Sequence, residues 1–301
     1  MIILDGGLGR ELKAMGAPFR QPEWSALALM EGPDFVRTAH DAFILAGADV
    51  ITTNSYAIVP FHIGDATFQE RAGELLNLAG QLARAAADAS PNKIQVAGGV
   101  PPMFGSYQPD KFDARRATAM MAVFRQQLAP YVDVFMAETH SSIAEAQCFL
   151  DAFADCKKPV WLSLTLEDAE PVAGQPMLRS GEFLAELLSS LAGKMPAALL
   201  FNCSQPEVMD DAVREVVRNF VDQANPPKIG VLANAFPLMK KGYGGANESL
   251  HVLRDDITPE AYADYAEKWV ASGAGMIGGC CGISPEHLKS IKSRLFDQQF
   301  T

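Results

Sequence analysis

The stretch ALLFNCSQPEVMDDAVREVVRNFVDQANPPKIGVL, residues 198–232, holds one whole structural unit. Ala198-Phe201 and Ile229-Leu232 are short and almost wholly apolar, as strands buried on both faces are. Between them Pro206-Asp222 reads as an amphipathic helix. Strand, helix, strand is the building block of a parallel sheet covered by helices.

The same alternation runs outward to both ends. Further apolar runs lie at Ile2-Leu4, Val50-Thr53, Ile94-Ala97, Val132-Met136, Val160-Leu164 and Met276-Gly278, which makes eight strands. Helical segments between them include Asp34-Ala46, Gln69-Ala87, Ala114-Ala129, Gly181-Lys194 and Pro259-Ser272. Eight such units predict an α/β fold, a single (β/α)₈ TIM barrel, and 301 residues suit a fold that commonly takes about 250 or more. No composition shift marks a boundary, so residues 1–301 read as one domain. Gly98-Gly99-Val100-Pro101-Pro102 and Lys241-Gly242-Tyr243-Gly244-Gly245 follow strands and predict long rim loops. The rival is an open doubly wound sheet with a nucleotide fingerprint at Gly6-Gly7-Leu8-Gly9. It lacks the third glycine at the required offset, and Asp5 would stand just before the phosphate loop.

Bulk composition narrows the function class. With 49% apolar and 20% charged residues the chain has the makings of a substantial core, which excludes disorder and a disulfide-held miniature. A net charge of −11 without a Lys/Arg cluster makes nucleic acid and membrane surfaces poor partners. Met1-Ile2-Ile3-Leu4-Asp5 has no basic segment ahead of its apolar residues, so it does not read as a secretory signal. No apolar run approaches the roughly 20 residues of a membrane span. The expected location is cytoplasmic, where the five cysteines are not expected to pair as disulfides.

Three of those cysteines stand at strand ends. Cys203 follows the sixth strand, and Cys280 and Cys281 follow the eighth within Gly278-Gly279-Cys280-Cys281-Gly282. In a barrel these ends are next-but-one neighbours on the rim where catalytic groups gather, so three sulfurs converge. Three thiolates on Zn²⁺ leave one tetrahedral position open, as catalytic zinc sites do. A substrate thiol filling it would be held as thiolate near neutral pH, whereas a free thiol, of pKa about 8.5, is mostly protonated. The alternative is three buried cysteines acting as small hydrophobes. That reading suits Cys148 and Cys156, in and after the helix beyond strand four. The histidines form no metal-binding pair; His40 and His287 fit helix surfaces, and His140 adjoins Glu138.

Over nearly its full length the chain resembles the zinc-dependent homocysteine S-methyltransferase family. The resemblance is carried by Asn202-Cys203 and Gly278-Gly279-Cys280-Cys281-Gly282, with support from Leu4-Asp5-Gly6-Gly7, Ala46-Gly47-Ala48-Asp49, Thr52-Thr53-Asn54-Ser55-Tyr56 and Glu138-Thr139. It implies zinc at Cys203, Cys280 and Cys281, with the amino-acid part of homocysteine near Asp5, Gly6, Gly7, Glu138 and Asn202. An ammonium suits a carboxylate, and a carboxylate suits backbone N–H groups at a glycine turn. Each of these residues also has a plain alternative: Asp5 and Glu138 as strand-end acids bonding backbone, Asn202 as a loop support, Thr139 as a helix cap. Asn234 stands where family members carry Pro-Asn, with Ala233 replacing the proline, and reads either as a ligand near the metal or substrate sulfur or as a loop organiser.

A cationic methyl donor favours aromatic faces, for which Trp24, Tyr56, Phe104, Tyr107 and Tyr243 are candidates. Trp24-Ser25-Ala26 resembles the branch using S-methylmethionine or S-adenosylmethionine rather than betaine; packing a loop onto the barrel is the other reading of Trp24. The expectation is therefore a methyltransferase moving a methyl group from a small onium donor to zinc-bound homocysteine, giving methionine. Its rivals are a betaine- or dimethylsulfonium-type donor, another thiol or selenol acceptor such as selenocysteine, and a non-catalytic zinc- or thiol-binding protein. The donor, the oligomeric state and the fourth zinc ligand in the empty site are not set by the sequence.

Overall fold

The computed structural model of the chain describes residues 1–238 and 252–296. Its strands are β1 (Ile2–Ile3), β2 (Val50–Thr52), β3 (Gln95–Val100), β4 (Val134–His140), β5 (Val160–Leu164), β6 (Ala198–Asn202), β7 (Lys228–Leu232) and β8 (Met276–Ile277). The helices are α1 (Leu8–Ala14), α2 (Ser25–Glu31), α3 (Pro33–Ala46), α4 (Pro60–Ile63), α5 (Asp65–Ala89), α6 (Ala114–Leu128), α7 (Ile143–Ala152), α8 (Leu184–Ser190), α9 (Met209–Phe220), α10 (Pro259–Ser272) and α11 (Pro285–Phe296). All strand pairs are parallel, in the order β1-β8-β7-β6-β5-β4-β3-β2. A parallel bridge between Leu4 and Val50 closes the ring, so the open-sheet rival is excluded and the barrel expectation holds.

Strand alternation decides which residues meet inside. The barrel interior is packed by Leu4, Val50, Ala97, Val134, Met136, Trp161, Ala198, Leu200, Leu232 and Met276. One pleat further along β2, β4, β5 and β6 the same inward face carries Thr52, Glu138, Ser163 and Asn202, and polar groups replace apolar ones at the upper rim. The outward faces bury Phe135, Leu199 and Phe201 against the helices. Each such large apolar side chain contributes about 1.5–3 kcal/mol by leaving water.

Some local expectations change. Gly98-Gly99-Val100 belongs to β3 rather than to the loop after it. The Gly98 backbone faces Val132 and Phe135, and a Cβ on Gly99 would overlap the Glu138 carboxylate, so close packing rather than a turn explains this glycine pair. His40 and His287 are buried, not on helix surfaces, and His140 is fully buried with its ring edge-on to Phe149. Cys148 and Cys156 pack partly against the helix-layer core, as expected of small hydrophobes. Residues 241–245, including the aromatic candidate Tyr243, lie outside the described residues.

Candidate metal and substrate site

The strand ends surround an upper cavity of about 120 Å³. Its wall includes Asp5, Gly6, Trp24, Tyr56, Glu138, Asn202 and all three strand-end cysteines. Gly7, Asn234 and Phe104 are not part of it.

The ligand atoms of Cys203, Cys280 and Cys281 lie within 4.8 Å of one another. Thiolates at about 2.3 Å around one tetrahedral ion sit about 3.8 Å apart, so the set fits a zinc ion after small side-chain adjustments. Cys203 and Cys280 form a disulfide in this structure, with Cα atoms 5.5 Å apart, and Cys281 is a free thiol. This corrects the expectation of no disulfide. Side chains that converge enough to share a metal also converge enough to bond when oxidised, and the three-thiolate form is the reduced one. Burial pushes the Cys281 thiol up to about 11, with Arg10 pulling it partly back and Glu138 adding to the rise.

Asp5 and Glu138 supply the opposing charge. The buried Asp5 carboxylate accepts the Thr52 N–H at 2.7 Å and the Thr52 hydroxyl at 3.0 Å. Burial raises it to about 7 in spite of these bonds. Glu138 is raised to about 8, first by burial and then by the Asp5 charge. Its Oε2 is buried and accepts no hydrogen bond among the described residues. A carboxylate oxygen left unpaired beside a cavity is a receptor for a cationic donor.

The segment after β2 holds this pair in place residue by residue. Thr52 binds Asp5; the Thr53 hydroxyl accepts the Gly99 N–H at 3.1 Å; Ser55 donates to the Gly99 carbonyl at 2.7 Å. Asn54 donates to the Ser25 carbonyl at 3.1 Å, which ties the start of α2 and its neighbour Trp24 to the rim. Tyr56 shares a 2.5 Å hydrogen bond with Ser106, a cavity residue to which the sequence reading assigns no role of its own.

Other expected residues have different tasks. The Asn202 amide oxygen accepts the Thr139 N–H at 3.0 Å and the Ser163 hydroxyl at 2.9 Å, and its NH₂ donates to the Thr139 hydroxyl at 2.9 Å. It thereby holds Thr139 at a φ of 60° while itself standing on the cavity wall. The cap of α7 is Ser142, not Thr139. The Gly7 N–H donates to Ile283, so it is not available to a substrate carboxylate. A Cβ there would lie 2.6 Å from the Cys280 carbonyl, so the glycine serves the approach of the β1 loop to the cysteine turn. Asn234, which the sequence reads either as a ligand near the metal or substrate sulfur or as a loop organiser, accepts the Phe236 N–H at 3.2 Å, a bond within its own loop.

Protein cations already cover several aromatic faces. Arg10 lies 5.7 Å from the Trp24 ring and 5.4 Å from Phe236, and Arg179 lies 4.6 Å from Tyr107. Phe104 pairs with Arg116 at 5.2 Å, outside the cavity wall. No cation lies over Tyr56 among the described residues.

Comparison with known proteins places the chain among relatives of one family. The sequence model of the homocysteine S-methyltransferase family matches residues 2–295. Homocysteine S-methyltransferase 2 of Arabidopsis thaliana is 26% identical, the match covering 99% of this chain and 93% of the relative. Selenocysteine methyltransferase of Astragalus bisulcatus is 25% identical, with 96% and 90% covered. The homocysteine methyltransferase MmuM from Escherichia coli superimposes with a TM-score of 0.77 at 26% identity, covering 98% of this chain and 96% of that one, in its metallated form. Its oxidized form gives the same values.

Proposed function

Since this chain belongs to the homocysteine S-methyltransferase family, whose reaction is methyl transfer to homocysteine giving methionine, we propose a finer reading of its site. Cys203, Cys280 and Cys281, once reduced, hold Zn²⁺, and the donor is a small onium compound, S-methylmethionine or S-adenosylmethionine ahead of betaine. The observation carrying this reading is the convergence of three sulfurs within 4.8 Å in the cavity that also holds a buried carboxylate pair. Bound there, zinc supplies the Lewis acidity that keeps a substrate thiol ionised near neutral pH.

The chain's own groups do the rest. Asp5, oriented by Thr52, and Glu138, through its unpaired Oε2, receive the homocysteine ammonium. Both carboxyls stand near or above neutrality in the protein alone, and an arriving cation favours their charged forms, so binding releases protons. The amino acid is thus fixed at the β1/β4 side with its side chain directed to the cysteines. Tyr56, the aromatic wall without a protein cation over it, offers its face to the donor's onium group. Two substrate cations suit a cavity walled by carboxylates and thiolates. Attack of the thiolate sulfur on the methyl carbon breaks the bond to the onium centre and leaves a neutral product, so no acid residue is required. Trp24 closes the donor side, packed against Phe19 at 5.0 Å. The reading takes residues 1–301 as one homocysteine-binding barrel domain working in the cytoplasm; no described helix is long and apolar enough to cross a membrane.

A donor panel tests it. Reduced, zinc-loaded protein is given homocysteine with S-methylmethionine, S-adenosylmethionine, betaine or a dimethylsulfonium carboxylate, and methionine is quantified. Product from the first two supports the reading, and product from betaine alone overturns the donor assignment. A parallel arm with selenocysteine as acceptor tests the acceptor assignment.

A further inference from the structure

We propose that Tyr107 is a positioning residue for Cys203, and that the buried Arg179–Asp168 ion pair holds Tyr107 in that role. The inference rests on the reading that Cys203 is a zinc ligand.

The three cysteines are anchored in two different ways. Cys280 donates its N–H to the Ala233 carbonyl at 2.9 Å and accepts the Ile283 N–H at 3.0 Å, while the Cys281 carbonyl accepts the Ala235 N–H at 2.9 Å. These are backbone bonds to the β7 loop and to the turn that follows β8. Cys203 donates its N–H to the Leu232 carbonyl at 3.2 Å, but its carbonyl is held by side chains. The Tyr107 hydroxyl donates to it at 3.0 Å and the Thr165 hydroxyl at 3.3 Å. Cys203 has a φ of 53°, a backbone state that a non-glycine residue keeps only when its surroundings impose it. Rotation about this peptide unit would swing the Cβ and with it the sulfur, so whatever pins the carbonyl sets where the sulfur stands.

Tyr107 is itself fixed from behind. Its φ is 61°, and the Arg179 guanidinium stacks on its ring at 4.6 Å. Arg179 forks onto Asp168 with bonds of 2.6 and 3.0 Å, and both side chains are at least nine-tenths buried. Asp168 also accepts the N–H of Gln205 at 3.1 Å, two residues beyond Cys203. One buried carboxylate therefore touches the cysteine loop directly and, through Arg179 and Tyr107, touches it again at the carbonyl. A buried ion pair adds little net stability over an apolar replacement of the same shape, so the consequence of this one is geometric. The Tyr107 ring lines the cavity while its hydroxyl is spent on Cys203, which separates wall from anchor within one side chain.

Tyr107→Phe keeps the ring and removes only the hydroxyl. The reduced full-length protein, without substrate, is titrated with zinc against a chromophoric chelator, and its Co²⁺-substituted form is examined for thiolate-to-metal charge-transfer absorption. Outer contacts that orient a metal ligand typically change affinity by about 10-fold or more, and a loss of about 10-fold with an altered Co²⁺ spectrum is expected. Thr165→Val should act in the same direction, and the double variant should be non-additive because both hydroxyls serve one carbonyl. Arg179→Lys, which retains charge but loses the fork and the planar stack, should shift the Co²⁺ spectrum in the Tyr107→Phe direction. Zinc affinity within about twofold of wild type and an unchanged spectrum in Tyr107→Phe would overturn the inference, even where homocysteine KM changes, since Tyr107 would then act on substrate. A wild-type protein that takes up no zinc overturns the zinc reading itself, and does so before any Tyr107 variant is measured.

Discussion

Replacing Glu138 by Gln should stabilise the metal-free protein and weaken its hold on homocysteine, the first effect growing with pH. The Glu138 carboxyl has a buried oxygen without a described hydrogen-bond partner, close enough to Asp5 for the two charges to repel. Burial and that repulsion raise it from 4.5 to about 8. An acid raised in this way contributes stability that is fully present below its unfolded value and is lost as pH rises through the folded value. Keeping the group protonated costs the folded state under about 1 kcal/mol at about pH 5, and about 3 kcal/mol at about pH 7. Glutamine has nearly the same shape and no charge to bury, so it should recover most of that cost. Urea unfolding of both proteins at the two pH values reads the difference directly. Calorimetry with homocysteine near neutral pH should show the opposite sign, a loss of about 2 kcal/mol, or roughly 30-fold in affinity, for one charge-assisted bond. A stability gain that is equal at both pH values, or a loss at both, would mean the carboxyl is already paired and ionised in the folded chain. Unchanged homocysteine affinity would remove Glu138 from the ammonium site.

Gly99→Ala should displace the Glu138 carboxylate and cost homocysteine affinity by a similar factor with zinc stoichiometry intact, because the new Cβ meets the flexible end of Glu138 rather than backbone; unchanged homocysteine affinity would count against it. Cys281→Ser should abolish zinc uptake while circular dichroism shows an intact barrel, and retention of one zinc per chain would refute the ligand assignment. Homoserine, which lacks a thiol, should bind more tightly as pH rises through about 7 to about 8, where Asp5 and Glu138 ionise. Calorimetry in buffers of different ionisation enthalpy should also register released protons, and a pH-independent affinity would contradict the raised carboxyls.

Much of the fold is legible locally. Val160-Leu164 and Pro259-Ser272 have the same bounds in the sequence reading and in the structure, because each is a strong periodic run closed by clear breakers. The glycine pair at the end of β3 misleads, since Gly98 and Gly99 look like a turn but serve close packing. The short helices α1, α2 and α4 carry too few periods to stand out. Among site residues, the cysteines are readable from chemistry and position together. Asn202 and Asn234 are not, since an amide looks alike whether it faces a ligand or bonds to Thr139 or Phe236.

By itself the sequence determined the repeat, the number of strands and the side of the sheet on which the chemistry stands. Burial periodicity and the residues just after each strand are local properties, written within a few positions of one another. Only the tertiary structure decided how the convergent groups divide their work. It placed Cys203 and Cys280 close enough to bond, buried Asp5 beside Glu138 so that the Asp5 charge helps to raise the Glu138 carboxyl, and bonded the Asn202 amide to Thr139. It also joined Tyr107 to Cys203 across 96 positions of chain. Such pairings depend on ring closure and on which face of each strand turns inward, quantities that exist only once all eight strands are in register.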